Sequence, residues 1–299
     1  MTYSLLGRDP ETGEMGVASQ SQAFAVGASV TWAQPGHGVV ATQSMGEPMY
    51  GQLGLEVLRE GLTAEEALRA LRSVDPHPER RQVAMVDTDG GLAVYTGEAC
   101  VAAAGHAVGE QCVALANMMV TEGVWDRMAA AFADAAGLPL AQRLLAGLDA
   151  AEDAGGDLRG RRSAVMTVVC ATPSGRPWQD LRVDLRVDDH AEPVVELRRL
   201  VDYAARYHQA VEAFELALDG EVDRALARLP SGVDPAQEPE LALWEAVVCG
   251  EAGDHDRGRV LMDELSRAAP DLVETARRFG DAGLVPPETL RRLLGGDAP

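Results

Sequence analysis

Lysine is absent from this chain. All 26 basic residues among the 299 are arginines, set against 47 Asp and Glu for a formal charge of −21. That absence excludes a lysine general base and Schiff-base chemistry. The acidic balance repels phosphate backbones, so nucleic acid is not an expected partner. Aromatic residues are scarce, at 4% against 46% hydrophobic, which implies a core of aliphatic and small side chains. No run of about 18 apolar residues occurs, so neither a membrane span nor a membrane partner is expected. The N-terminus lacks the basic-then-apolar pattern of a secretory leader, and the expected location is cytoplasmic. The four cysteines (Cys100, Cys112, Cys170, Cys249) form no CxxC pair and are expected to be reduced and buried. The six histidines include no His-x-x-x-His pair, and nothing in their spacing asks for zinc. No metal and no organic cofactor is expected.

What is present starts at once. Residues 2–8 and 14–20 form a hairpin pattern around Asp9-Pro10-Glu11-Thr12-Gly13, so a strand is expected from the second residue onward. A further strand is expected at 39–44 (Val-Val-Ala-Thr-Gln-Ser), followed by two helices. The second helix opens on the capping box Thr63-Ala64-Glu65-Glu66 and sets Ala67, Leu68, Leu71 and Val74 on one face. Strands at 83–86 and 92–96 are joined through Asp89-Gly90, a hairpin signal, and another at 112–116 leads into Asn117. Helices over 122–135 (Trp125, Met128 and Phe132 inward) and 139–151 (Leu144, Leu145 and Leu148 inward) come next. A buried strand at 165–170, a half-wet strand at 181–187 and a helix from Pro193 complete the series.

These blocks of strands and helix pairs predict an α+β domain of packed sheets with helices outside, spanning residues 1–207. No GxGxxG or P-loop lies at a strand–helix junction, which removes the nucleotide folds. Residues 208–299 are expected to be helical throughout. A loose repeat of 33 residues aligns Ala213, Gly220, Ala225 and Leu229 with Ala246, Gly253, Gly258 and Met262. Small residues at that spacing let helices cross closely, as in tetratricopeptide-like (TPR-like) hairpins. Glu245 stands where such a repeat would carry an apolar residue.

Thr2 follows the initiator Met, and a small second residue is what Met removal requires. A chain beginning at Thr2 carries a hydroxyl nucleophile and an α-amine base on one residue, with no lysine or histidine needed. The amine titrates near pH 8, so an appreciable fraction is neutral in the cell. A catalytic terminus must be held still, and a strand beginning at residue 2 would do that. Ser19, on the returning strand of the hairpin, is expected beside Thr2, either bonding the amine or filling core space.

MTYSLLGRDPETGEMGVASQSQAFAVG, GEPMYG, TGEACVAAAGH, LANMM, GGDLRGRRSA and DLRVDDHAEPVVELRRL resemble, in order over residues 1–202, the motif series of the DUF1028 family. The resemblance implies the N-terminal nucleophile (Ntn) hydrolase fold, a four-layer αββα sandwich. It places Thr2 at the nucleophile position of a superfamily that cleaves amide bonds through an acyl-enzyme. It also makes Asn117 a candidate oxyanion donor, with a turn-forming role as the alternative.

In the glycine-rich loop Gly155–Arg162, Asp157 is expected to orient the terminal ammonium or to tie the loop down through Arg159 or Arg162. Arg159 is the candidate for binding a substrate carboxylate. His106 is a loop histidine, expected to be structural rather than a base and a candidate for contacting the substrate, and Asp189 is expected to cap the helix that follows it. One departure is plain: a proteasome-like site has a lysine near its N-terminal Thr, and this chain has none.

Two functions follow. The first is an amidohydrolase acting through Thr2, Asn117, Asp157 and Ser19 on a small-molecule or peptide amide. The second is a catalytically silent Ntn-like scaffold whose TPR-like tail recruits a protein partner. A homo-oligomer is compatible with either.

Overall fold

A computed structural model describes residues 2–295. The chain divides into two compact units, Met1–Val201 and Asp202–Pro299. The change of texture expected at residue 208 therefore falls inside a helix, α6 (Pro193–Leu218). A helix continuous through a unit boundary leaves no Pro, Gly or polar linker to mark it.

The first unit holds two antiparallel sheets. One sheet has six strands in the order β10-β9-β2-β1-β8-β7. They are β1 (Thr2–Arg8), β2 (Met15–Ser21), β7 (Gly105–Gly109), β8 (Cys112–Asn117), β9 (Ser163–Val169) and β10 (Leu181–Val187). The other sheet runs β3-β4-β5-β6, built from β3 (Thr31–Gln34), β4 (Gly38–Ser44), β5 (Arg81–Asp87) and β6 (Leu92–Thr96). Strand alternation sends successive side chains to opposite faces, and each sheet uses both.

On the six-stranded sheet, Tyr3, Leu5 and Ala114 point outward onto Met128 and Phe132 of α3 (Val124–Asp134) and onto Leu144, Leu145 and Leu148 of α4 (Leu140–Asp153). On the other sheet, Val40, Val83 and Met85 point outward onto α1 (Pro48–Arg59) and α2 (Ala64–Val74). Leu6, Val17, Val39, Ala41, Val86 and Val113 meet between the sheets. The layering is αββα, as the family resemblance implies.

The expected strands and helices are found within a few residues, and the Thr63–Glu66 capping box closes in both directions. Two strands carry no sequence signal. β3 is a four-residue edge strand, and β7 (Gly-His-Ala-Val-Gly) is an edge strand with glycine at both ends and little burial. Edge strands need no apolar alternation, so periodicity does not reveal them. His106 consequently lies on a strand, not in a loop. Val74, expected on the inner face of α2, is exposed at the helix end. Asp189 does not cap α6: it pairs with Arg162 at 3.0 Å, and His190 Nδ1 accepts the Glu192 N–H instead.

Gly7 shows how tight the outer layer is. A Cβ there would sit 2.6 Å from the ring of the fully buried Phe132. Gly7→Ala is expected to destabilise by about 1–3 kcal/mol in thermal denaturation, the range of an overpacked core.

Under α1 and α2, the buried Asp75 carboxylate accepts from Arg81 (2.9 and 3.2 Å), from Tyr50 Oη (2.9 Å) and from the His77 N–H (2.9 Å). The Arg81 bonds, working against burial, pull its carboxyl down to about 2. A depressed carboxylate stabilises the fold above its unfolded value near 3.9 and ceases to do so as pH falls through the folded value. Asp75→Asn is therefore expected to cost about 1–2 kcal/mol at neutral pH. In urea melts the gap to wild type should close between about pH 4 and pH 2.

The second unit is helical among its described residues. It continues from α6 through α7 (Val222–Arg228), α8 (Pro239–Glu251), α9 (His255–Ala268), α10 (Pro270–Asp281) and α11 (Pro287–Leu293); the short α5 (Pro177–Asp180) belongs to the first unit. Its turns repeat. Gly220, Gly253 and Gly283 each adopt positive φ after α6, α8 and α10. In each turn the next residue's N–H reaches five residues back, Glu221 to Leu216, Asp254 to Cys249 and Leu284 to Phe279. This is a Schellman stop, which a Cβ would strain. Ala213, Ala225, Ala246 and Met262 are buried. Glu245, also buried, pairs with Arg257 of α9, so its charge is met within the helical layer. No helix among the described residues is long and apolar enough to cross a membrane.

Candidate functional site

The space between the sheets changes character along its length. Strand parity puts Leu6, Ser4 and Thr2 on the same face of β1, and Val17, Ser19 and Ser21 on the same face of β2. The register sets Thr2 opposite Asn117 of β8 and Ser4 opposite Ser19. From the other sheet, Gln43 follows Val39 and Ala41 on β4, while Gln82 precedes Ala84 and Val86 on β5. The seam is thus apolar at one end and polar at the end where β1 begins. Thr2, Ser4, Ser19, Ser21, Gln43, Gln82 and Asn117 are all buried there.

Buried amides and hydroxyls are tolerated when each finds a partner, and here they bond one another. Gln82 Nε2 donates to the carbonyls of Ala116 (2.9 Å) and Gly105 (3.0 Å) and to Thr96 Oγ1 (3.0 Å). Carbonyls only accept, so this fixes the Gln82 amide and turns its Oε1 inward. That oxygen accepts from Gln43 Nε2 (2.7 Å) and Asn117 Nδ2 (2.9 Å). The same two nitrogens donate to the Thr2 carbonyl, at 3.0 and 3.4 Å. Gln43 Oε1 accepts from Ser4 Oγ at 2.6 Å. One side chain from each sheet, Gln43 of β4 and Asn117 of β8, thus holds the Thr2 carbonyl, while the Thr2 hydroxyl donates to Ser21 Oγ at 3.2 Å. Ser21 Oγ also accepts the Ala23 N–H.

The expected residues divide. Thr2 and Asn117 are brought together, but the Asn117 amide holds Thr2 and Gln82. Ser19, expected beside Thr2, lies two residues along, where its hydroxyl meets Ser4 Oγ at 2.6 Å; Ser21 occupies the neighbouring position. Asp157 ties its loop down. Its buried carboxylate accepts from the Gln22 and Arg159 N–H groups (3.1 and 2.8 Å) and from the Arg159 guanidinium. Arg161 pairs with Glu152 and Glu192, and Arg162 with Asp189. His106 joins the network from outside, its Nδ1 2.8 Å from Thr96 Oγ1. Partial burial lowers its pKa, which favours the neutral imidazole. A cleft of about 510 Å³ opens beside it, lined among others by Thr96, Gly105, Cys100 and Trp125.

Gln43, Gln82, Ser4 and Ser21 were not legible as site residues from composition. For Gln43 and Gln82 the signal is parity, each being polar at an inward position of a strand whose other inward residues are apolar, whereas Ser4 and Ser21 share their inward faces with Thr2 and Ser19.

The loops at this end are laced into a collar. Met118 N donates to Val101 O, Leu158 N to Met118 O, and Arg162 N to Ser21 O. Phe24, Met45, Val101, Val120 and Leu158 stand exposed on these loops. Three non-glycine residues with positive φ, Ala25, Ser44 and Met118, cluster at the same end. Such conformations cost about 1–3 kcal/mol each and persist where surrounding structure enforces them, often at functional sites. Among the described residues no group of three His, Cys, Asp or Glu side chains is arranged to hold a metal ion. Met1, whose removal is expected, lies outside the described residues.

Among curated proteins no relative matches the chain. Of solved structures, the crystal structure of protein SPO2555 from Silicibacter pomeroyi, itself assigned to DUF1028, superposes with a TM-score of 0.61 at 33% identity. That match covers 68% of this chain and 89% of that one. Anbu (ancestral beta-subunit) from Yersinia bercovieri covers 78% of this chain and 99% of its own at 11% identity and a TM-score of 0.34, too slight a likeness to bear on fold or function. The model of a family of unknown function matches residues 2–197, a stretch that begins at the clamped threonine and runs through both sheets, and by that match the chain belongs to the DUF1028 family.

Proposed function

We propose that the protein is an N-terminal nucleophile hydrolase that cleaves a C–N amide bond through Thr2. The observation that carries this reading is the clamp on Thr2. The second residue of the chain is buried at the head of a central strand, with its carbonyl held by two side-chain amides and its hydroxyl directed to Ser21. A residue serving only as the first rung of a strand needs no such network, whereas a nucleophile must be positioned within a fraction of an ångström.

With Met1 removed, Thr2 Oγ1 attacks the amide carbonyl carbon while its α-amine takes the hydroxyl proton, directly or through one water. The C–N bond of the tetrahedral intermediate breaks, the departing nitrogen takes that proton, and an ester to Thr2 remains. Water then hydrolyses the ester and releases the acid. The Asn117–Thr2 carbonyl bond, the longer of the pair at 3.4 Å, is the one an oxyanion would replace. The apolar collar favours a substrate with an apolar group beside the scissile bond. Arg159, its charge shared with Asp157, is the group for a substrate carboxylate.

The test is intact mass followed by labelling with an amide-directed electrophile. The expected result is a chain beginning at Thr2 that gains one adduct at that residue. A retained Met1 in active protein would sink the α-amine mechanism. A second reading, a silent scaffold with a TPR-like tail that binds protein, draws on the three matched helix turns at Gly220, Gly253 and Gly283. It gains if a chain beginning at Thr2 takes no label from any such probe.

A further inference from the structure

At the end of the six-stranded sheet remote from Thr2 lies an arginine without an acid. Arg143, in the first turns of α4, is only 8% exposed. Its guanidinium lies over the Phe132 ring, 4.0 Å from the centroid, and its Nε donates to the Phe132 carbonyl at 3.4 Å. Among the described residues it forms no ion pair, and Nη1 and Nη2 have no hydrogen-bond partner. Arg81 and Arg206, by contrast, meet carboxylates.

A desolvated cation with no counter-ion is costly to keep. The outer edge of the guanidinium, with its fork of donors, borders a cleft of about 440 Å³. The walls are the α3–α4 turn (Ala136, Leu138, Pro139) and two hairpin turns that contribute Asp9, Glu11 and Glu110.

We propose that this cleft binds a free α-amino acid, its carboxylate bidentate on Arg143 and its ammonium against the acidic rim. The planar fork of an arginine matches a carboxylate. An anion alone is disfavoured by three rim carboxylates and a net charge of −21, and a cation alone would leave Arg143 unmatched. A zwitterion answers both charges. Pro139 caps α4 without a side-chain hydrogen bond, so the helix's first N–H groups add positive potential on the same side as Arg143.

The experiment is isothermal titration of the full chain with the twenty L-amino acids, with acetate, methylammonium and N-acetyl amino acids as controls. At least one amino acid should bind one-to-one, and its N-acetyl form about tenfold or more weaker. Arg143→Lys keeps the charge and the stem over Phe132 but loses the fork, and should weaken binding by about tenfold or more. Glu110→Gln, on the exposed rim, should weaken it by about threefold or more and decides the matter if Arg143→Lys does not fold. Absence of binding by all twenty at about 10 mM overturns the proposal. So does binding indifferent to acetylation or to these variants, or acetate binding as tightly as the amino acid.

Discussion

Thr2→Ala is expected to leave the protein folded and to abolish both probe labelling and turnover, by about 10⁴-fold or more, the scale at which removing a nucleophile acts. Alanine is also small, so Met1 removal and the α-amine are retained and only the hydroxyl is lost. The variant therefore separates nucleophile from base. Thr2→Ser, which keeps both, should retain measurable activity. In the wild type, activity should rise with pH as the amine loses its proton, with an inflection near 8, because the neutral amine is the form that accepts the hydroxyl proton. A flat profile across that range, or label that survives in Thr2→Ala, counts against Thr2. Folding costs should be slight, because the bond from the Thr2 hydroxyl to Ser21 is long at 3.2 Å, while the carbonyl clamp depends on the backbone.

The second large effect concerns the residue that orders the clamp. Gln82→Leu is expected to destabilise the first unit by about 3–5 kcal/mol, since buried donors and acceptors left unmatched cost about 1–3 kcal/mol each. Gln82 Oε1 is the shared acceptor for Gln43 and Asn117, and its Nε2 satisfies carbonyls on β7 and β8 from a position on β5. Leucine fills the volume but strands these groups between the sheets. Gln82→Glu should be comparably harmful for a different reason, because a carboxylate can accept from Asn117 and Gln43 but would face the Ala116 and Gly105 carbonyls with like charge. Urea denaturation measures both variants. Destabilisation under about 1 kcal/mol for either would mean that the network is dispensable. Any Gln82 variant that folds should also label more slowly at Thr2, because a looser carbonyl clamp lets the nucleophile wander.

The amino-acid sequence by itself determined the local elements whose signals are local. The β1–β2 hairpin followed from Asp9-Pro10 and Gly13 between alternating strands, α2 from a capping box and an apolar face, and the β5–β6 turn from Asp89-Gly90. It also determined that any base at an N-terminal Thr must be something other than lysine. The helical second unit was legible from its helix-only texture and from the 33-residue spacing of Gly220 and Gly253. Glu245 looked like a defect in that repeat because its partner, Arg257, is twelve residues away on the next helix.

Only the tertiary structure decided which polar side chains share the buried seam. Gln43 and Gln82 sit on neighbouring strands of the second sheet, and each looks like an ordinary strand-end glutamine until the sheets stack, when Gln43 reaches the Thr2 carbonyl and Gln82 joins Gln43 to Asn117. The one-strand register that sets Ser21 beside Thr2, and sends Ser19 to Ser4, depends on a hairpin alignment that turn composition does not specify to the residue. Asp157 and Arg159 are two residues apart in the chain, yet whether they face a ligand or each other depends on how the Gly155–Arg162 loop folds against Gln22. Sequence carries spacing along one chain, whereas this network is made of contacts across strands and between sheets, with separations of up to 115 residues. Its geometry exists only once both sheets are packed.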